Sequence, residues 1–184
     1  SACSPRNISG GQSAQASHSA VATAAAERID MRRQLKKMEH RFKLMPCKSS
    51  HVIQIRDWPY LCRNYPFSDR WQSPVFITPT GLHWHLSIAP NGQKPDSKDH
   101  VAMYLMPGLD SNALFHEGLT INTEFTIKLV LPGTSIVKAS KSARKEFHNP
   151  AKGCGSASFC TQEIMMASTQ WEVHVNLSIL QPRA

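Results

Sequence analysis

Apolar and polar residues alternate along two segments of the chain, Leu82–Ile88 and Trp171–Ile179. In both, every second residue is apolar, and histidine, serine, asparagine or glutamate fills the positions between. This period of two is typical of a β-strand that buries one face and leaves the other open to solvent or a partner. Less regular versions of the pattern predict strands over Val52–Ile55, Ser73–Ile77, Val101–Met106, Thr123–Leu131 and Ser135–Ala139.

Turn-forming residues separate these segments about every ten residues, as in antiparallel proteins. Pro90, Asn91 and Gly92 end the first alternating segment. Two stretches rich in Gly, Pro and Asn, Pro107–Asn112 and Asn149–Gly155, predict loops. Short strands joined by turns favour an antiparallel sandwich or barrel over residues 50–181.

A helical period precedes the strands. From Ala24 the chain holds strong helix formers, with no Gly or Pro before Pro46, so we predict a helix over residues 24–46. Its apolar residues are spaced four, three, four and three apart, as in a coiled-coil seam. They are Met31, Leu35, Met38, Phe42 and Met45.

This seam leaves two interpretations open. Two heptads are too few to associate alone, so the helix is either amphipathic and packed on its own domain or a short stalk that forms a dimer or trimer. Residues 1–23, rich in Ser, Ala, Gly and Gln, contain too little bulky apolar material to order, and we expect a disordered tail.

The net charge of the chain is unevenly distributed along the sequence. The 184 residues carry a net charge of +8, which by itself points to nucleic acid or an acidic membrane surface. Residues 1–49 hold nine basic and three acidic side chains, whereas the rest holds 12 and 10. The charge therefore belongs mainly to the N-terminal arm, and without interleaved aromatics or a base-reading motif nucleic-acid binding is disfavoured.

The cysteines and the apolar runs bear on the compartment. Five cysteines are an odd number and too few for a disulfide scaffold, so we expect a reducing intracellular location, the cytoplasm first, with the nucleus or an organelle as alternatives. No apolar run approaches the roughly 20 residues that a membrane helix needs, and we expect no membrane span.

The predicted strands also carry motifs in a definite order. Ile53, Ile55 and Trp58 come first, and Ser73–Phe76 and Gly81 follow. A block with the spacing W-x-L-x-I comes next, in the segment LHWHLSIAPNG; it consists of Trp84, Leu86, Ile88, Pro90 or Asn91, and Gly92. The last motifs are VAMYLM at Val101–Met106, TEFTIKLV at Thr123–Val130, Phe147, and the segment Lys152–Phe159.

This series resembles the MATH domain, also called the TRAF C-terminal domain, over residues 51–179. The resemblance implies an eight-stranded antiparallel β-sandwich without catalytic activity or a cofactor. It further implies a protein that binds short extended peptide segments of partner proteins in a shallow groove. Domains of this family often work beside BTB, RING or ubiquitin-peptidase modules, which implies an adaptor or substrate-recognition role in a ubiquitin-related or signalling pathway.

The resemblance also implies a position for the peptide groove. Tyr104 keeps a groove aromatic of the family and lies on the strand face opposite Met103 and Leu105. Phe125 matches a second groove aromatic, although alternation with Ile127 equally indicates a core position. The remaining groove positions are Lys145, Cys154, Gly155 and Ser156.

Three of these positions depart from the family pattern. Lys145 stands where the substrate-adaptor branch has Tyr, Cys154 replaces Trp and Ser156 replaces Phe. The ligand preferences of that branch therefore do not transfer. Lys145 would instead favour an acidic or phosphorylated side chain.

The sequence disfavours a metal site and a catalytic cysteine. His83 and His85 have the spacing of metal ligands, and His100 or His174 could be near them, but the sequence gives no clear third ligand. Cys154 with His148 lacks the further groups that an activated nucleophile needs. Cys62, Cys154 and Cys160 include no CxxC pair. We expect no metal site, no cofactor and no enzyme.

Two hypotheses follow. The first is a protein-interaction module, with the preceding helix setting its copy number. The second is a structural subunit that the basic N-terminal arm anchors to a polyanion, in which case binding would weaken steeply with salt.

Overall fold

The computed structural model describes residues 13–181, with side chains from Thr23 onward. The chain divides into two units, residues 1–41 and residues 42–184. The first unit contains most of helix α1, Ser13–Lys43. This helix is confirmed, but it begins eleven residues before the predicted start at 24 and ends at Lys43 rather than at 46, so that Met45 of the predicted seam lies beyond it. The predicted disorder of residues 1–23 falls on helix from Ser13 onward, and residues 1–12 lie outside the described part.

The second unit is built from two antiparallel sheets. Among the described residues the strands are β1 Cys47–Ile55, β2 Trp71–Gln72, β3 Phe76–Ile77, β4 His83–Ala89, β5 His100–Pro107, β6 Ile121–Val130, β7 Val137–Phe147, β8 Cys154–Thr161 and β9 Trp171–Ile179. One sheet has the order β1-β9-β6-β7, and the other has the order β2-β4-β5-β8 with β3 also paired to β4. The predicted all-β sandwich with an N-terminal helix is confirmed.

β2 and β3 are two parts of one interrupted strand. Trp71 lies opposite Ile88 and Phe76 opposite Trp84, so both parts follow the same edge of β4. Between them the Ser73 amide donates to the Leu86 carbonyl (2.9 Å), and the Ser73 hydroxyl accepts from the Leu86 amide (2.9 Å). Counted as one strand, the pair makes the sandwich eight-stranded.

Three short helices join the strands: α2 Trp58–Asn64, α3 Asn112–His116 and α4 Gln162–Met166. The Asp57 carboxylate caps α2 by accepting from the Tyr60 amide (2.8 Å). The Thr161 hydroxyl caps α4 in the same way, at the Ile164 amide (3.4 Å). Each cap satisfies a backbone donor that the first helical turn leaves free.

The core lies between the sheets, where the alternating segments predicted it. The apolar residues of Leu82–Ile88 and Trp171–Ile179 are all buried. Across the interface the Trp84 and Phe147 rings meet edge to face, with centroids 5.3 Å apart. Trp171 also donates its indole N–H to the Met165 carbonyl (2.9 Å), which ties α4 to β9.

Several predicted strand boundaries are wrong. β1 begins at Cys47 rather than at Val52, and of the strand predicted over Ser73–Ile77 only Phe76 and Ile77 are strand. Two further differences concern the edge strands. Residues 154–161 were expected to begin in a loop, but they form β8, which pairs with β5. Residues 135–139 were expected to hold a short strand, but β7 begins at Val137 and continues to Phe147 along β6. Both strands are poor in large apolar residues because they are edge strands, so their pairing left little signal in the sequence.

No helix in residues 13–181 is both long enough and apolar enough to cross a bilayer.

Candidate functional site

The sandwich ends along one side in two edge strands, β7 of the four-stranded sheet and β8 of the five-stranded sheet. The two strands contact each other, and we call this side the β7–β8 rim. Each strand pairs with a neighbour along one edge only. The other edge offers backbone N–H and C=O groups to which an extended chain can bind.

The register of β8 on β5 decides which way its side chains point. Cys154 lies opposite Leu105, Gly155 opposite Tyr104, and Ser156 opposite Met103. Residues directly opposite each other in an antiparallel pair share a face. Cys154 and Ser156 therefore share the core-facing side with two buried residues, and Gly155 shares the outer face with Tyr104.

Tyr104 is half-buried on that outer face. The guanidinium carbon of Arg70, just before β2, lies 5.3 Å from the centre of its ring, within the range of a cation–π contact. Burial raises the pKa of the Tyr104 hydroxyl, and the charge of Arg70 opposes that shift. The sequence contained no signal for Arg70, because only the fold brings the segment before β2 over β5.

Residue 155 has to be a glycine because the backbones of β8 and β5 approach each other closely there. A Cβ atom at this position would lie 2.6 Å from the Tyr104 Cα and would also overlap the Met103 carbonyl. Gly153 is crowded as well, because its Cβ would lie 2.9 Å from the Leu105 carbonyl oxygen. Both glycines are therefore required by the close approach of β8 to β5, and Gly155 itself is exposed.

Lys145 is exposed on β7, on the other wall of the rim. It lies opposite Thr123, whose hydroxyl donates to the Lys145 carbonyl (3.0 Å). Burial raises the pKa of the Cys154 thiol, and the charge of Lys145 opposes that shift. A thiol with a raised pKa is protonated at neutral pH and is a poor nucleophile.

Phe125 does not reach the groove. It is 2% exposed and belongs to the core with Ile127 and Leu129, as the alternation indicated. The groove role expected from the family position is wrong for this side chain, because β6 is a central strand whose core-facing residues are covered by the opposite sheet.

The predicted groove residues thus separate into three places. Lys145, Cys154 and Ser156 line the core-facing side of the rim. Tyr104 and Gly155 lie together on the outer face of the five-stranded sheet, and Phe125 lies in the core.

The histidines considered as metal ligands do not come together in the fold. The Nδ1 atom of His83 lies 3.8 Å from an Asp110 carboxylate oxygen. His85 lies opposite Met106, six residues and about 20 Å along β5 from His100, and His174 belongs to the other sheet. Among the described residues no three His, Cys, Asp or Glu side chains form a metal-ligand cluster.

The residues of the predicted seam are exposed. Met31, Leu35, Met38, Phe42 and Met45 each expose between 52% and 66% of their surface. Apolar side chains of this size at seam spacing are available for contact with another molecule.

Comparisons with known proteins support the resemblance seen in the motifs. A family model described as the MATH domain matches residues 50–177. Among solved structures, the chain is similar to TRAF5 of Notothenia coriiceps, with a TM-score of 0.54 and 14% identity, over 92% of this chain and 93% of that one. Identity this low shows the fold alone. No curated protein matches the sequence.

Proposed function

We propose a function from the premise that this chain belongs to the MATH domain family, whose domains are in general non-catalytic protein–protein interaction modules. Our proposal is that the chain binds a short extended segment of a partner protein along the β7–β8 rim. In doing so it serves as an adaptor or substrate-recognition domain.

The observation that carries this proposal is the pairing of Tyr104 with Gly155 beside the free edge of β8. A peptide that adds to this edge obtains backbone hydrogen bonds whatever its sequence, and its alternate side chains turn toward the outer face. There they meet the half-buried ring of Tyr104 and the exposed backbone of Gly155. Aromatic side chains at the centre of a contact often supply most of its binding energy.

A shallow rim contact is weak on its own, so copy number matters. Two linked copies raise the effective concentration of the second site, and avidity can exceed a single affinity by about 10²-fold or more. The exposed seam of α1 would supply that linkage as a dimer or trimer. A partner in the ubiquitin system or a signalling pathway is consistent with this arrangement and forms part of the proposal.

A selection from a random-peptide display library on the immobilised 184-residue chain tests this function. Affinities of the recovered peptides are then measured by fluorescence anisotropy. Tyr104→Ala should weaken binding about tenfold, the loss typical of an interface anchor, and leave the melting temperature nearly unchanged.

Tyr60→Ala is the matched control, since Tyr60 is an exposed tyrosine (52%) on α2 outside the rim. It should leave the affinity as it is in the wild type. Equal affinities for wild type and Tyr104→Ala would remove Tyr104 from the site, and a library that gives no binding peptide would contradict the function.

A further inference from the structure

The basic residues of the sandwich are concentrated at the rim. Residues 50–184 have almost balanced charge, but β7 alone carries four basic side chains, Lys138, Lys141, Arg144 and Lys145, against the single acid Glu146. β8 carries no charged side chain. The fold therefore creates a local positive surface that the charge total of the sandwich conceals.

Two of these lysines point into the rim. Lys141 lies opposite Ile127, and Lys145 lies opposite Thr123, and both partners are fully buried. Because opposite residues share a face, both lysines leave β7 on its core-facing side, where the edge of the sheet leaves them exposed. Ala143 lies between them on the same side, so they are separated by a small, half-buried residue.

Neither lysine ammonium group has an ion-pair partner in residues 23–181. Glu146 lies opposite Asn122, which places it on the other face of β7, and its carboxylate accepts from the Thr120 hydroxyl (2.8 Å). No ion pair of Lys141 or Lys145 forms within that range. Two ammonium groups are thus directed along the binding edge without an internal counter-charge.

Their spacing defines a ligand. Four residues of β-strand span about 13 Å, and side chains on one face of an extended peptide recur every second residue. We propose that the β7–β8 rim selects an acidic extended segment with two carboxylates four residues apart, one facing Lys141 and one facing Lys145. This inference rests on the proposed function and adds the chemistry of the partner segment.

Lysines on the inner side of an edge strand also have a purely protective explanation, because buried-side charges block edge-to-edge aggregation. That role requires a charge of either sign. Recognition of an acidic segment requires a positive charge, so reversing the sign separates the two explanations.

The test is the same display selection, carried out on the wild type and on Lys141→Glu/Lys145→Glu, with a second variant Lys141→Gln/Lys145→Gln. Wild-type peptides should be enriched in Asp or Glu at positions i and i+4. The charge-reversed variant should lose that enrichment and bind the wild-type peptides at least about tenfold more weakly, since two exposed charge pairs, each contributing up to about fivefold, are lost and replaced by repulsion.

A matched control removes the effect of total charge. Lys48→Glu/Lys94→Glu changes the net charge equally, at exposed lysines on β1 and in the β4–β5 loop, and should keep the enrichment. Circular dichroism melts verify that each variant is folded. If the reversed variant does not fold, the Gln variant and the fall of wild-type affinity with rising salt supply the same comparison.

The possible failures are distinguishable. Wild-type peptides without acidic enrichment, or an enrichment that survives charge reversal, overturn the inference while the peptide-binding function stands. A library that gives no binding peptide overturns the function and the inference together.

Discussion

Gly155 controls how closely β8 packs against β5 at the rim. A side chain here would collide with the β5 backbone at Tyr104, so glycine allows β8 to approach β5 as closely as it does. Gly155 also lies beside Tyr104 on the outer face, where the Arg70 guanidinium lies 5.3 Å from the centre of the Tyr104 ring. The pairing of β8 with β5 therefore depends on one missing side chain.

Gly155→Ala should accordingly destabilise the fold. Its Cβ would displace backbone rather than the end of a flexible side chain, and overpacking of this kind costs about 1–3 kcal/mol of the free energy of unfolding. Urea denaturation followed by circular dichroism measures the change. Gly133→Asn is the control, because no atom lies within 4 Å of a Cβ at Gly133 and Asn tolerates its positive φ of 70°. Equal stability of Gly155→Ala and the wild type would show that the two backbones can separate freely.

At the scale of elements, the break between β2 and β3 is held by Ser73. This residue is 6% exposed, and both its amide and its hydroxyl bond to Leu86. The hydroxyl replaces a backbone acceptor that the broken strand cannot provide. Pro74 follows, and it has no N–H with which to continue the ladder.

Ser73→Ala should leave the buried Leu86 amide without an acceptor and lower the free energy of unfolding by about 1–3 kcal/mol. Ser50→Ala offers a contrast, since the Ser50 hydroxyl donates to the Asn176 side chain (2.8 Å) on the exposed sheet face. There water can replace the bond, and the expected change is within about 0.5 kcal/mol. The two variants are compared by urea denaturation. Equal losses would mean that the Ser73 hydroxyl is not needed to bridge the interruption.

The central strands could be predicted from the sequence, whereas the edge strands could be predicted only in part. The alternation of β4 and β9 identified their buried faces, because one covered face imposes a period of two on the sequence. β8 has mostly small residues and was expected to begin in a loop, since its strand conformation comes from pairing with β5. For the same reason β7 was recognised only at its beginning.

At the scale of the whole molecule, the exposed seam of α1 bears on copy number. Leu35 and Met38 are 60% and 66% exposed, and burying such residues between helices stabilises an oligomer. We expect the 184-residue chain to form a dimer or trimer of its 20.5 kDa protomer.

Leu35→Gln/Met38→Gln should then reduce the mass measured by sedimentation equilibrium to that of one protomer. Arg33→Gln/Lys37→Gln changes two exposed residues of the same helix outside the seam and should retain the oligomer. A wild-type chain that sediments as a single protomer at every concentration would contradict the stalk.

By itself the sequence determined the all-β sandwich, the buried face of its central strands, the helix before it and the family to which the motifs belong. These features are local, because each follows from periodicity or from a short run of residues. Only the tertiary structure decided that Phe125 is covered, that Arg70 lies over Tyr104, and that Lys141 and Lys145 point into the same rim. Those relations join strands that are distant in the chain, and strand register, which sets them, is fixed by pairing between segments rather than by either segment alone.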